Sequence, residues 1–144
     1  MATVELRFSP LPEHVRTARL VAAAVARRAG VDEAVLDEVR LAVGEACSRA
    51  VGLHQAGGIS APVRVALVEE EKQFSIEVGD EASHAPTGGV PGARGALDEA
   101  DAEGEDEMGL AVISGLVDDV QVTADADGGL IRMSWPTLPA TLLP

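Results

Sequence analysis

The sequence predicts a single α+β domain, and three observations carry this prediction. First, 144 residues are enough for one domain with its own core, and no internal repeat divides them. Second, two adjacent segments have the apolar spacing of amphipathic helices. Third, short segments on either side of those helices have the residue pattern of strands. The predicted order is strand, two helices, two strands, a long loop, a short helix and two strands.

The first half of the chain supplies one strand and both long helices. Residues 3–8 alternate apolar and polar side chains, which predicts a strand with one buried face. A helix is predicted over residues 13–29, with Gly30 as its C-terminal stop. Asp32 is the predicted N-cap of a second helix that ends near residue 53.

The second half alternates strands with loops. Two strands are predicted at residues 63–68 and 74–78, joined by an acidic turn at residues 69–71. A short helix is predicted at residues 109–117, and a closing hairpin has its strands at residues 120–124 and 130–135. Between them lies a Gly-, Pro- and acid-rich loop at residues 80–107, and loops of this length are usually functional or disordered. We therefore expect one domain over residues 1–136 and a disordered tail over 137–144.

Composition narrows the class of protein. With 47% hydrophobic and 24% charged residues the chain is typical of a soluble globular domain, expected in the cytoplasm because no signal peptide or membrane-spanning run is evident. The net charge of −13 argues against DNA, RNA or an anionic membrane as a direct partner. The single cysteine, Cys47, is expected to pack in the core. The three histidines form no ligand spacing, so no metal site is predicted.

Residues 40–51, with the sequence RLAVGEACSRAV, contain the most specific motif of the chain. They resemble the second helix of bacterial anti-sigma factors of the serine-protein kinase family, which have the GHKL (Bergerat, histidine-kinase-like) ATPase fold. That family has the pattern Glu-Ala-x-x-Asn-Ala on this helix. Glu45, Ala46 and Ala50 match it, whereas Arg49 replaces the asparagine.

Two further segments resemble motifs of the same family in the same order. Residues 78–82, VGDEA, are similar to the Asp-x-Gly box at the end of a strand. Residues 108–120, MGLAVISGLVDDV, are similar to the glycine box and the helix that follows it. The resemblance covers nearly the whole chain and implies a two-layer sandwich, in which helices cover one face of a mixed β-sheet.

The resemblance also implies roles for individual residues. Asp80 would accept a hydrogen bond from the adenine amino group, and Gly109 and Leu110 would place backbone amides near the phosphates. Glu45 would be the general base toward a serine hydroxyl. In the family the asparagine at the position of Arg49 binds Mg²⁺, and a guanidinium has no acceptor with which to do so.

Other residues besides Arg49 also depart from the family pattern. Ala82 replaces the first glycine of the Asp-x-Gly box, and His84 stands where a second glycine is common. Seven of the ten residues before Met108 are acidic, and beside a triphosphate they would be repulsive: Asp98, Glu99, Asp101, Glu103, Glu105, Asp106 and Glu107. The alternative for this run is a solvated loop, and the alternative for Asp80 is a simple turn residue.

Three interpretations of Arg49 stay open at this point. The favoured one is an i, i+4 ion pair with Glu45 that fills the former magnesium position. In the second, Arg49 contacts a nucleotide phosphate directly, without metal. In the third, its side chain faces solvent.

The favoured functional prediction is an anti-sigma-like regulator of a partner-switching circuit. It would bind a STAS-domain anti-anti-sigma factor, and a sigma factor as a further candidate partner, with phosphotransfer lost. The resemblance places these contacts on His14, Arg16, Arg19 and residues 83–107 of the loop 80–107, which corresponds to the family's ATP lid and is called the acidic lid. Two alternatives stay open: an active serine/threonine kinase of the STAS partner and a non-catalytic nucleotide sensor. No cofactor is expected to be required, although ATP with or without Mg²⁺ stays open, as does a homodimer.

Overall fold

The computed structural model describes residues 2–83 and 109–137. Its elements in chain order are β1 (Ala2–Phe8), α1 (Glu13–Ala29), a 3-10 turn (Glu33–Val35), α2 (Leu36–Ala56), β2 (Val63–Glu70), β3 (Gln73–Asp80), β4 (Asp119–Asp125) and β5 (Gly128–Pro136). Residues 109–116, between β3 and β4, are helical and are called α3. Most of the predicted acidic lid and all but the first residue of the predicted disordered tail lie outside the described residues.

The five strands form one sheet in the order β1-β2-β3-β5-β4. The four pairings between them are antiparallel across the described residues. β3 lies at the centre, where Val78 pairs with Val65 of β2 and with Ile131 of β5. Asp80, the last residue of β3, lies opposite Gly129. β3 is therefore paired on both sides as far as Gly79, and Asp80 is paired with β5.

Helices α1 and α2 pack on each other and on one face of the sheet, which confirms the predicted two-layer α+β architecture. The alternation of β2 explains which face is covered, since Val63, Val65 and Leu67 are fully buried under the helices. The core is almost wholly aliphatic, with Phe74 and Trp135 as its aromatic members. Both helices contribute alanines at i, i+4 spacing to the core, and these are Ala18, Ala22 and Ala26 of α1 and Ala42, Ala46 and Ala50 of α2.

The predicted helix bounds are confirmed at α1 and shifted at α2. Gly30 ends α1 with a φ of 102°, and its amide donates to the carbonyls of the last turn. Asp32 is a cap, but it caps the 3-10 turn, because its side chain accepts from the amide of Ala34 at 3.1 Å. α2 then runs from Leu36 to Ala56, beyond the end predicted near residue 53.

The five strands are longer than predicted, and in β2 the added residues are glutamates whose charges are compensated. β2 continues through Glu69 and Glu70, which form ion pairs with Arg28 and Arg132. The predicted acidic turn at 69–71 is therefore displaced, because the chain reverses at Glu71 and Lys72, and the φ of Lys72 is 66°. In the part of the chain that the structure describes, no helix is long and apolar enough to cross a bilayer.

Candidate functional site

The predicted site residues meet where α2 passes the end of β3. Asp80 is only 2% exposed, and its Oδ1 atom accepts the amide of Ala82 at 3.0 Å. This Asx-type turn directs the chain out of the sheet. The interpretation of Asp80 as a simple turn residue accounts for that hydrogen bond, but it does not account for the burial of a carboxylate.

A cation from α2 lies beside this buried carboxylate. The Nη1 atom of Arg49 is 3.8 Å from Oδ2 of Asp80, and the two side chains are 7% and 2% exposed. The favoured interpretation paired Arg49 with Glu45 on its own helix, whereas the ion pair described by the structure joins Arg49 to Asp80. The reason is physical, since a carboxylate withdrawn from water attracts a cation more strongly than a half-exposed one does.

Glu45 lies at the other side of the same site. Its Oε2 atom is 3.9 Å from the position that a Cβ atom on Gly109 would occupy, so the carboxylate adjoins the first described residue of α3. Leu110 is partly buried and packs against the hydrophobic core. The structure thus brings Glu45 close to Gly109, and Arg49 close to Asp80, with all four predicted residues on α2, β3 and α3.

A close backbone contact also fixes the position of Asp80. A Cβ atom added at Gly128 would collide with the backbone oxygen of Asp80. Glycine at this position therefore lets the β4–β5 hairpin approach the end of β3. The sequence marks Gly128 only as a hairpin residue, and nothing in its local pattern shows the contact with a strand 48 residues earlier in the chain.

The remaining predicted residues lie on α1, away from Asp80. His14 is half-buried with its ring 6.2 Å from that of Phe8, whereas Arg16 and Arg19 are exposed. Both arginines line a groove of about 470 Å³ between α1 and α2, and its other lining residues are Leu20, Asp37, Arg40 and Leu41. We call these six residues the α1–α2 groove.

Most of the chain matches a known protein family. The family model of the histidine kinase-like ATPase domain matches residues 8–135. The chain belongs to the histidine kinase-like ATPase domain family. This assignment agrees with the resemblance found in the motifs and with the order of helices and strands. Comparison with curated proteins gives no match.

A solved structure shares the fold. It is the crystal structure of the RsbU and RsbW domains of Rv1364c from Mycobacterium tuberculosis, with a TM-score of 0.66 and 16% sequence identity. The match covers 97% of this chain and 33% of that one, so this chain spans a third of its length. At that identity the likeness shows the fold alone.

The magnesium ion used by many members of the histidine kinase-like ATPase domain family does not fit the residues present. The guanidinium of Arg49 can only donate hydrogen bonds, and its Nη1 atom lies beside the carboxylate of Asp80. No group of three His, Cys, Asp or Glu side chains arranged to hold a metal occurs within residues 2–83 and 109–137. We therefore derive no chemical step through a metal at this site.

His54 contacts the backbone next to Asp80 and was not predicted from the sequence to lie there. It is fully buried near the end of α2, and both its ring nitrogens form hydrogen bonds. One of these bonds is to the backbone amide of Glu81, directly after Asp80. His54 has no ligand spacing with other residues, and a buried histidine that bonds to backbone atoms leaves no signal in a sequence pattern.

Cys47 is predicted to be chemically inert in the folded protein. The thiol is fully buried, and burial raises its pKa to about 12 by withdrawing the charged form from water. At pH 8 we expect no reaction of the native protein with an aromatic disulfide reagent and one equivalent of reaction in urea. Because the unfolded thiol ionises first, the free energy of unfolding should fall as the pH rises past about 8.5. Rapid reaction of one thiol in the native protein would contradict the prediction.

Proposed function

We propose that this protein is an anti-sigma-like regulator that acts by binding proteins, with its nucleotide site closed by its own side chains. Its partner would be a STAS-domain anti-anti-sigma factor, with a sigma factor as the second partner of the circuit. The resemblance of the motifs implies these partners, and the fold shared with the RsbW domain of Rv1364c supports the choice. Kinase activity would be lost.

The ion pair between Arg49 and Asp80 carries this proposal. In the intact family site the aspartate accepts from adenine, and the residue at the position of Arg49 binds the metal. Here the two groups lie 3.8 Å apart in a buried setting, so a nucleotide would have to separate them before using either. Separating a buried ion pair costs several kcal/mol by general experience, about as much as millimolar binding supplies.

The α1–α2 groove is the surface that we propose for the partner. Arg16 and Arg19 form no ion pair within the described parts of the chain, although the protein has a net charge of −13. Leu20 and Leu41 are 57% and 54% exposed beside them. Arginine is enriched among the residues that dominate binding energy at protein interfaces, and exposed leucines supply apolar surface that a partner can bury. A partner with carboxylates around an apolar centre would complement this surface.

Isothermal titration with ATP tests the closed site. We expect no binding by the wild-type protein at about millimolar ATP, with or without magnesium, and therefore no rise in melting temperature. In Arg49→Asn, which restores the family residue and removes the cation from Asp80, nucleotide affinity should rise. Wild-type binding of Mg·ATP with phosphate transfer to a STAS domain would indicate an active kinase. Binding without transfer would indicate a nucleotide sensor.

A pair of matched double variants tests the docking surface. Arg16→Gln/Arg19→Gln should weaken binding of the STAS partner by about tenfold or more, because it removes the unengaged cations of the groove. Arg27→Gln/Arg28→Gln changes the same charge on the same helix outside the groove, and should weaken binding by less than about threefold. Equal losses in the two variants, measured by titration calorimetry, would show that only net charge matters.

A further inference from the structure

His54 holds two separate stretches of backbone against α2. Its Nδ1 atom lies 2.9 Å from the carbonyl oxygen of Ala61, and the amide of Glu81 donates to its Nε2 atom at 2.8 Å. A carbonyl can only accept and an amide N–H can only donate. The proton of the neutral ring is therefore on Nδ1, and Nε2 is the acceptor.

These two hydrogen bonds lie beside the candidate site. Ala61 lies just before β2, and Glu81 directly follows the last residue of β3. Three consecutive residues are thus held by defined contacts: Asp80 by Arg49, Glu81 by His54, and Ala82 by the carboxylate of Asp80. Two of the three contacts come from α2, one from Arg49 and one from His54.

We propose that His54 is a positioning residue for the closed nucleotide site. By accepting the amide of Glu81, it fixes the end of β3 so that the carboxylate of Asp80 stays opposite the guanidinium of Arg49. This inference deepens the proposed function and rests on it, because it assumes that the nucleotide site is closed in the functional protein. A histidine that only filled the core would leave the interaction between Arg49 and Asp80 unchanged when it was replaced.

Two substitutions separate the two hydrogen bonds of the ring. The amide group of glutamine can occupy the place of Nε2, so His54→Gln can keep the bond to Glu81 and loses the bond to Ala61. The amide group of asparagine corresponds to Nδ1, so His54→Asn can keep the bond to Ala61 and loses the bond to Glu81. Both variants remove the same ring from the same core position, which makes each the control of the other.

The measured quantity is the thermodynamic coupling between Arg49 and Asp80, which is the non-additive part of their effects on the free energy of unfolding. It is obtained from urea unfolding of Arg49→Met, Asp80→Asn and the double variant, in the wild-type, His54→Gln and His54→Asn backgrounds. We expect the coupling to change the unfolding equilibrium constant by about tenfold or more in the first two backgrounds. In His54→Asn it should fall below about threefold. Equal coupling in His54→Gln and His54→Asn would overturn the proposal.

A second measurement uses the unmodified protein, in case a variant fails to fold. An N–H···N hydrogen bond transmits a scalar coupling between its two nitrogens, so NMR of ¹⁵N-labelled protein should link the Glu81 amide to His54 Nε2. Absence of that coupling in well-resolved spectra would also overturn the proposal. Nucleotide titration separates this inference from the proposed function. ATP binding by the wild type would refute the closed site. If the wild type binds no ATP but the thermodynamic coupling between Arg49 and Asp80 is unchanged in His54→Asn, only the role of His54 would be refuted.

Discussion

Replacing Arg49 with methionine should lower the free energy of unfolding by about 3–5 kcal/mol, the range measured when one partner of a buried ion pair is removed. The substitution keeps a long apolar stem in the helix, so lost packing contributes little. The dominant cost is electrostatic, because the cation is removed from beside a carboxylate that is 2% exposed. Urea unfolding followed by circular dichroism gives the change directly.

The double variant Arg49→Met/Asp80→Asn is the control for this result. It removes the charge that the first substitution leaves behind, so it should be more stable than Arg49→Met alone by more than about 1 kcal/mol. An unfolding free energy for Arg49→Met equal to that of the wild type would show that the 3.8 Å pair contributes nothing to folding. The proposed closure of the site would then lose its main support.

Substituting alanine for Gly128 should cost about 3 kcal/mol, at the upper end of the range for overpacking. The added methyl group would collide with the backbone oxygen of Asp80, and a backbone atom cannot move aside as a flexible side chain can. To relieve the contact, the β4–β5 hairpin or the end of β3 must shift. Denaturant unfolding measures the cost, and the amide shifts of Glu81 and Ala82 report the displacement.

Gly52→Ala is the matched control for Gly128→Ala. Gly52 is exposed within α2, and nothing lies within 4 Å of the position that its Cβ would take. Alanine there should raise the free energy of unfolding by up to about 1 kcal/mol, because glycine is the poorer helix former. If both substitutions had the same effect, the contact between Gly128 and Asp80 would not be the cause.

Local sequence patterns are sufficient to predict most of the fold. The bounds of α1 follow from apolar spacing and from a glycine at its end, and both signals lie within a few residues of the boundary. The predicted turn after β2 is misplaced because an acidic run is, as a local pattern, typical of a loop. Two of its carboxylates belong to β2, since Arg28 and Arg132 from other elements compensate them. Compensation of that kind depends on tertiary contacts, which a local pattern does not contain.

The candidate site, like the fold, could be predicted from the sequence where local patterns decide it and not where tertiary contacts do. The motifs identified Glu45, Arg49, Asp80 and Gly109 as neighbours, and the structure places them in one region. The partner of Arg49 was predicted by the i, i+4 rule, which considers only contacts within a helix. Asp80 lies 31 residues further along the chain and becomes its partner only once α2 packs on β3. The role of His54 depends on backbone groups, which every residue carries and which no motif can therefore distinguish.

Arg16 and Arg19 of the α1–α2 groove would also affect the rate at which the proposed partner binds. A protein with a net charge of −13 repels an acidic partner at long range, while the arginines attract it only at close approach. The encounter with an acidic partner would therefore be slow, and the arginines would favour the orientation in which the partner's carboxylates face the groove. Dissolved salt screens the distant repulsion more effectively than the close attraction. Moderate ionic strength should thus accelerate association, which is opposite to the usual behaviour of oppositely charged partners.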